Sequence, residues 1–257
     1  MYRMLLHIFP LIQMISFISG LLFLDSHVFY LAITLFFLAA LFLNFSLHIT
    51  IHHFVHFRYK SNLLNLLTEC VYSIFLALPF SFYRMQHFNH HRYDNRIGDI
   101  TSTWEKKNET IVARSFFNYS FFWFFKGSAK KAIETALRDG DINKKEKQKI
   151  QIQFLIILVV FIFLIVLNPW FGLAYATMFY IGWSLVAMTN YGQHLPLKYD
   201  STAAYSYHNS MYNFLFFKNG LHLEHHLKPH LNYHELKSNN QSKIKWPHLI
   251  TAFFRNK

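Results

Sequence analysis

The chain has 257 residues, of which 53% are hydrophobic, 19% aromatic and only 15% charged. This composition is too rich in phenylalanine and too poor in charge for a soluble domain of that length, and it indicates a membrane protein. The formal net charge of +12 is concentrated between apolar runs, which favours membrane topology over nucleic-acid binding. A single cysteine, Cys70, excludes an intramolecular disulfide, an iron–sulfur cluster and a cysteine-based zinc site.

Four apolar runs are long enough to cross a hydrocarbon core of about 30 Å, which takes roughly 20 helical residues. They are residues 5–24, 28–49, 152–170 and 171–189. Only three residues separate the first two runs, and Asn168-Pro169 breaks the last two apart, so each pair predicts a helical hairpin. A further run, residues 63–82, carries Glu69 and Pro79 and is predicted to be re-entrant or interfacial.

Basic residues lie between the two hairpins, whereas both hairpin tips have none. They include Lys126, Lys130, Lys131, Arg138, Lys144, Lys145, Lys147 and Lys149. The side that carries them is therefore predicted to be cytoplasmic. The first run is longer than the apolar core of a signal peptide and is interpreted as a retained anchor. The whole chain, residues 1–257, is predicted to form one all-α membrane-embedded domain.

Most of the 17 histidines fall into four groups near the ends of apolar runs or beyond them. The groups are His48, His52, His53 and His56; His87, His90 and His91; Asn190 with His194; and His222, His225 and His226. Residues at i, i+3 and i+4 share a helix face, so each group presents its side chains in one direction. With His48 and His52 counted from the first group, nine histidines share such faces. Imidazole suits iron, copper, zinc and nickel, and nine convergent histidines exceed what one tetrahedral zinc ion uses. The pattern predicts a pair of metal ions.

Other histidines are expected to be surface residues that titrate or form hydrogen bonds and do nothing more. These are His7, His27, His208 and His248. His230 and His234 extend the last group, but they follow Pro229, where the helix is expected to have ended. We interpret both as surface or supporting residues.

The spacing of the groups resembles the histidine boxes of the membrane fatty acid desaturase and hydroxylase superfamily. Residues 48–53 are similar to the first box, H-x-x-x-H-H, and residues 87–91 to the second box, H-x-x-H-H. The second box is followed by family-like Arg92-Tyr93-Asp94-Asn95 and Gly98-Asp99. Residues 222–226 resemble the last box, with Pro229 close behind, and the resemblance extends from residue 44 to about 236.

The resemblance implies four transmembrane helices in two hairpins, under a cytosolic helical cap that holds a di-iron site. It implies that Asn190 reaches a metal through water, that His194 binds directly, and that no catalytic residue exists beyond the ligands. The implied ligands are His48, His52, His87, His90, His91, Asn190, His194, His222, His225 and His226. Many relatives have an acidic residue where Ile49 stands, and the first box can also be read one turn later, at His52 and His56.

The function implied by the resemblance is that of a di-iron oxidoreductase, which uses O2 and two electrons to desaturate an acyl chain of a fatty acid or lipid. The alternatives are a hydroxylase or carotenoid ketolase of the same superfamily and, from a different class, a metal transporter, whose ligands should lie at mid-span. The expected partners are the membrane, a lipid or acyl substrate, and a separate electron donor of the ferredoxin, rubredoxin or cytochrome b5 type. No nucleic acid is expected as a partner.

Overall fold

A computed structural model describes residues 6–24, 28–122, 129–195, 198–200, 204–238 and 243–253. These residues are mostly helical and fall into two compact units. The first unit comprises Met1–Arg84 with Ile133–Leu185, and the second Met85–Ala132 with Val186–Lys257. The prediction of a single domain stays a prediction.

The N-terminal half of the first unit is a pair of apolar helices. Helix α1, Ile8–Phe23, packs along α2, Phe29–Phe45. Helix α2 continues through a π-helical segment, Ser46–Ile51, into α3, His52–His56, to give 28 helical residues in a row. Single π-helical turns are rare and recur at functional sites, and this one contains His48.

A sharp bend separates the next two helices, α4 at Asn62–Leu76 and α5 at Phe80–Tyr93, which meet at 87°. Ser61 caps the start of α4 by accepting a hydrogen bond from the Leu64 amide. Ala77 ends the helix with a left-handed φ of 45°. The predicted re-entrant or interfacial run, residues 63–82, therefore contains a turn rather than one straight helix.

Side chains from other helices satisfy the backbone groups that this bend exposes. Three successive α4 carbonyl oxygens accept such bonds: Ile74 O from Tyr175 Oη at 3.0 Å, Phe75 O from Gln13 Nε2 at 2.7 Å, and Leu76 O from Trp183 Nε1 at 2.7 Å. At the start of α5, the Phe80 amide donates to Ser73 Oγ and the Ser81 amide to Gln153 Oε1, both at 2.9 Å. The broken helix is thus built into the helix packing of the first unit.

The second long hairpin begins after helix α6, Ala129–Arg138. Helix α7, Lys144–Leu167, begins with a capping box formed by Asn143 and Glu146. Helix α8, Pro169–Gln193, follows after the extended residue Asn168. The predicted break is confirmed, and the two helices extend beyond the predicted runs, to Lys144 at one end and Gln193 at the other.

Among the residues that the structure describes, three helical stretches are long and apolar enough to cross a membrane: Phe29–His56, Lys144–Leu167 and Pro169–Gln193. They correspond to three of the four predicted crossings. The described part of the first predicted crossing, α1, has 16 residues and a length of about 24 Å, less than a typical hydrocarbon core. The bent pair α4 and α5 passes the same test only when taken together.

The second unit contains a β-hairpin, so the expectation of an all-α fold is wrong in this detail. Strands β1, Trp104–Lys107, and β2, Thr110–Ala113, pair antiparallel with Trp104 opposite Ala113. Asn108 and Glu109 form the two-residue turn, and both have positive φ. Glutamate is an uncommon residue in such a turn, which explains why the sequence pattern did not predict the hairpin.

The remaining elements of the second unit are short. They are a π-helical segment at Asn118–Phe122, α9 at Ser210–Leu215, α10 at His222–Leu227, a 3₁₀ turn at Tyr233–Glu235 and α11 at His248–Thr251. A core of Tyr119, Ala187, Tyr191, Leu195 and Ala252 ties them to the end of α8. At Gly192 the backbone of α11 is so close that a Cβ atom would lie 1.9 Å from the His248 carbonyl oxygen.

Candidate metal centre

The second and third histidine groups each lie on one helix of the second unit. His87, His90 and His91 occupy the end of α5, and His222, His225 and His226 fill α10. Helix α10 ends at Leu227, before Pro229, as predicted. Because positions i, i+3 and i+4 share a face, each helix directs three imidazoles to the same side.

The two triplets divide their side chains between two clusters. The four-histidine cluster consists of His90, His194, His222 and His226, and the three-histidine cluster of His87, His91 and His225. Helix α5 gives an i, i+4 pair to the three-histidine cluster and one residue to the other. Helix α10 gives an i, i+4 pair to the four-histidine cluster and one residue, His225, to the three-histidine cluster. Neither helix could build either cluster alone.

The four-histidine cluster is buried, with all four residues 9% exposed or less. One ring nitrogen from each residue lies within 4.8 Å of the others. His90 Nε2 is 3.2 Å from His226 Nε2, and His194 Nε2 is 3.1 Å from His222 Nε2. The cluster therefore presents four nitrogen atoms to one point.

In the three-histidine cluster, His91 Nε2 lies 3.0 Å from both His87 Nε2 and His225 Nε2. The rings of His91 and His226 have centroids only 4.6 Å apart, so the two clusters adjoin. Asp94 also brings a carboxylate oxygen within 4.8 Å of ligand atoms on these two histidines.

Two carboxylates fix the protonation of the four-histidine cluster. His90 Nδ1 lies 2.6 Å from Asp99 Oδ2, and His226 Nδ1 lies 2.9 Å from Asp94 Oδ1. An ionised carboxylate only accepts hydrogen bonds, so each Nδ1 carries a proton and the two Nε2 atoms are left to face each other. Aspartate behind a histidine is the usual support of a metal ligand, because it fixes the tautomer and the ring orientation.

Burial favours the neutral form of His222 and His226. It holds the pKa values of His222 and His226 well below the usual range, and the neighbouring histidines lower them further. For Asp99, burial alone would raise the pKa, but the charge of His90 and hydrogen bonds from His90 and Thr101 bring it below its ordinary value. At neutral pH His222 and His226 are therefore uncharged, and Asp99 offers an ionised carboxylate to His90.

The loop after α5 holds Asp99 in place. Asn95, in a left-handed conformation, donates its amide N–H to Asp99 Oδ2 at 3.1 Å and its side-chain Nδ2 to the His194 carbonyl at 3.1 Å. Gly98 has a φ of 108° and lies against the Tyr93 ring, where a Cβ atom would clash. The loop thereby joins the end of α5 to the end of α8.

Glu224 anchors α10 from its other face. It is 4% exposed, accepts a hydrogen bond from Ser206 Oγ at 2.5 Å, and lies 3.2 Å from His208 Nε2. His208 Nδ1 in turn contacts Ser238 Oγ at 3.0 Å. These bonds fix the rotation of α10 about its axis and so the direction of its three histidines.

Asn190 and His194 lie one turn apart at the end of α8. His194 belongs to the four-histidine cluster, as its spacing predicts. Asn190 Nδ2 donates to Tyr119 Oη at 2.5 Å and lies 3.5 Å from the Thr101 carbonyl oxygen. The water-mediated metal contact implied for Asn190 stays a prediction.

The first histidine group belongs to the first unit. His48 lies in the π-helical segment and His52 begins α3, and both are buried. His52 and His56 offer ring nitrogens within 4.8 Å of each other, with ring centroids 5.3 Å apart. Within this unit the structure therefore pairs His52 with His56, and the predicted choice of His48 with His52 stays a prediction.

The interpretation of His248 as a surface residue is wrong. Its side chain is fully buried, donates from Nε2 to the Tyr205 carbonyl at 3.0 Å, and has its ring centroid 6.1 Å from that of His222. Burial lowers the pKa of His248 to about 4. The cause is the long-range packing of α11 on Gly192, which the local sequence pattern does not reveal.

The other histidines outside the groups behave largely as expected. His230 and His234 are exposed, as predicted. His7 is hydrogen-bonded by Tyr59 and Tyr72, and His208 by Glu224 and Ser238, and both are only partly exposed. The prediction for His27 lies outside the described residues.

Sequence reasoning did not assign roles to Asp94, Asp99, Glu224 or Tyr119. The two aspartates fall in the family-like run after the second box, and Glu224 falls inside the third, so their position carried a signal. Tyr119 lies in an aromatic stretch of ordinary appearance, and nothing local distinguishes it.

The four-histidine cluster fits a metal ion better than it fits a hydrogen-bonded core. His90 and His226 both donate from Nδ1 to an aspartate, and their Nε2 atoms face each other 3.2 Å apart in a buried site. Because burial lowers the pKa of His226, its Nε2 atom keeps a lone pair that a metal ion in the cluster would use. Neutral imidazole nitrogens supported by carboxylates suit a transition metal.

The fold and the site define a helical membrane protein with buried histidine clusters able to bind metal. A model of the family described as fatty acid desaturase matches residues 26–242. The chain therefore belongs to the fatty acid desaturase family, as its histidine boxes indicate. Among curated proteins, none matches this chain significantly.

Proposed function

We propose that this protein is a membrane di-iron oxidoreductase that uses O2 and two electrons to desaturate an acyl chain of a fatty acid or lipid. The observation that carries the proposal is the apposition of His90 Nε2 and His226 Nε2, each with its Nδ1 held by an aspartate. Membership of the fatty acid desaturase family supports a lipid-oxidising centre over a structural metal site.

Two metal ions are proposed because the histidines of the second unit form two adjoining clusters. The four-histidine cluster would hold one ion. The three-histidine cluster would hold the second, together with His52 from the first box and either His48 or His56. Iron is proposed over zinc because the donor set exceeds four nitrogens and because the family oxidises lipids.

An iron pair, when bound, would supply the O2-activating chemistry that no side-chain acid or base can provide. The chain's own residues hold and shield that chemistry. Asp99 and Asp94 keep the protons of His90 and His226 on Nδ1, so that Nε2 is free to ligate. Glu224 fixes α10, and all four histidines of the cluster are buried.

An acyl substrate is proposed from the match to the fatty acid desaturase family. The first unit also has an apolar cavity of about 460 Å³ between the first halves of α2 and α8, at the ends of these helices away from the histidines. Phe29, Phe36, Phe37, Trp170 and Met178 are among its lining residues. Sites of this size and composition take extended apolar ligands. The electrons are proposed to come from a separate ferredoxin, rubredoxin or cytochrome b5-type donor.

The proposed topology has the bent pair α4 and α5 as a re-entrant segment with both ends on the cytoplasmic side. Exposed backbone groups at membrane depth are tolerated only where protein satisfies them, and Gln13, Tyr175, Trp183, Ser73 and Gln153 do this at the bend. Helix α1 would then cross as the short partner of α2. The basic region before α7 sets the orientation.

Thiol labelling tests this topology, since Cys70 is the only cysteine to remove. In a Cys70→Ser background, Lys60→Cys, Asn108→Cys and Lys145→Cys should react with a membrane-impermeant maleimide only after the cells are opened. Asn168→Cys should react in intact cells. Labelling of Lys60→Cys and Asn108→Cys from opposite sides would contradict the re-entrant topology.

The function is tested by expression in a heterologous host, followed by mass spectrometry of its lipids. The wild-type protein should introduce a double bond into an acyl chain and should purify with two iron ions per chain. His225→Ala and His226→Ala should lose both the iron and the product. His230→Ala replaces an exposed histidine close to them in the sequence and should keep both. Retained turnover in either ligand variant would refute the assignment.

Other products would redirect the proposal within the same superfamily. An alcohol in place of the double bond would identify a hydroxylase, and a modified carotenoid in a carotenoid-producing host would identify a ketolase or hydroxylase. Accumulation of metal in cells or vesicles without any oxidised product would instead indicate transport.

A further inference from the structure

Asn190 differs from the other implied ligands because its amide has one end that donates and one that accepts hydrogen bonds. Metal ions and the water around them take the oxygen end. Asn190 can therefore interact with a metal ion, or with water bound to it, only if Oδ1, and not Nδ2, faces the metal centre. The hydrogen bonds around the amide decide which end faces the centre.

The surroundings of the amide allow one orientation. Tyr119 donates its single hydroxyl proton to the Thr101 carbonyl oxygen at 2.6 Å, so the hydroxyl oxygen can only accept from Asn190. The Asn190 group that meets it, 2.5 Å away, also lies 3.5 Å from the Thr101 carbonyl oxygen. Both neighbours are acceptors, so this end must be Nδ2.

The hydroxyl of Tyr119 is itself fixed. The side chain is 4% exposed and packs in the core of the second unit, with its ring centroid 5.4 Å from that of Tyr191. Thr101 is held by Asp99, which accepts the Thr101 backbone N–H at 2.7 Å and its hydroxyl at 2.8 Å. Asp99 also supports His90, so one set of hydrogen bonds connects a histidine ligand to the Asn190 amide.

The opposite end of the amide is left available. Asn190 Oδ1 accepts no hydrogen bond from any residue that the structure describes. It lies on the helix face of His194, one turn away, which is a member of the four-histidine cluster.

From this geometry we propose that Tyr119 is a positioning residue, which orients the Asn190 amide so that its oxygen faces the metal centre. The proposal rests on the proposed function, because it needs a bound metal ion with which the Asn190 oxygen interacts. Tyr119 does not touch the reacting atoms and acts only through Asn190.

The test is a double-mutant cycle on the full-length protein in detergent, with Tyr119→Phe, Asn190→Ala and the double variant. Tyr191→Phe is the matched control, because this equally buried tyrosine donates to the Arg114 carbonyl and to no ligand. Iron affinity by competition titration, the Mössbauer spectrum of the bound iron and the thermal midpoint of the metal-free protein are measured for each.

Tyr119→Phe should lower the affinity for iron roughly 10-fold and change the spectrum of one iron site, as expected for the loss of a group that orients a ligand. In the Asn190→Ala background it should do neither, since there is no amide to orient. Tyr191→Phe should leave the spectrum unchanged. Equal effects of Tyr119→Phe with and without Asn190 would overturn the proposal.

Asn190→Asp tests the same bond from the other side if Tyr119→Phe does not fold. It places an oxygen against two acceptors, so the metal-free protein should be less stable than Asn190→Ala, and a more stable Asn190→Asp would overturn the proposal. A wild-type protein that binds no iron would refute the proposed function, and the role of Tyr119 with it. Normal iron binding with an additive cycle would refute the role of Tyr119 alone.

Discussion

Replacement of Asp99 by asparagine tests the structure of the metal centre most directly. The Asp99 side chain is fully buried and accepts four hydrogen bonds, from His90 Nδ1, the Asn95 amide, and the amide and hydroxyl of Thr101. Asparagine has the same shape but only one acceptor oxygen. If that oxygen stays with Thr101, the new NH2 group faces His90 Nδ1 and the Asn95 N–H.

The consequence for His90 is a change of tautomer. Its Nδ1 has to accept instead of donating, so the ring proton moves to Nε2 and the lone pair needed for a metal is lost. A hydrogen bond to a charged group contributes about 1.5–3 kcal/mol, which corresponds to roughly 10- to 100-fold in metal affinity. The unsatisfied Asn95 N–H should cost a further 1–3 kcal/mol or so of folding stability.

The assay is iron content per purified chain, followed by a competition titration and a thermal scan of the metal-free protein. Asp94→Asn should have a smaller effect, because the Asp94 side chain is 40% exposed and water can replace its bond to His226. Asp139→Asn, whose exposed carboxylate pairs with Arg138, should have none. Wild-type iron affinity in Asp99→Asn, or a larger loss in Asp94→Asn, would refute the tautomer argument.

Three further outcomes are expected. Burial lowers the pKa of His248 to about 4, so between pH 6.5 and 4 the unfolded chain binds a proton that the folded chain does not. The free energy of unfolding should therefore fall by about 3 kcal/mol as the pH is lowered from 6.5 towards 4. The thermal midpoint of His248→Gln should depend less on pH over this range. Gly192→Ala, whose Cβ would lie 1.9 Å from the His248 carbonyl oxygen, should lower the thermal midpoint through a cost of roughly 1–3 kcal/mol, and an unchanged midpoint would contradict this packing. His230→Ala should retain iron content and turnover within about twofold, since its side chain is exposed, and loss of iron would show that a ligand was misassigned.

The extent to which sequence predicted the structure differs between local and long-range features. The break at Asn168-Pro169, the end of α10 before Pro229 and the shared faces of the two histidine triplets were all predictable, because proline chemistry and helical periodicity act over a few residues. The β-hairpin at residues 104–113 was not, because its Asn108-Glu109 turn departs from the residues that such turns favour.

The candidate site shows the same division. Composition and histidine spacing by themselves determined that this is a membrane protein, that its imidazoles are grouped on helix faces, and that metal binding is the chemistry they suit. Only the tertiary structure decided that each triplet divides between two clusters, that Asp99 and Asp94 hold the tautomers of His90 and His226, and that His248 is buried. The physical reason is that a helix face is set by neighbours three or four residues away, whereas the partner of His90 lies 136 residues along the chain and is brought there by packing.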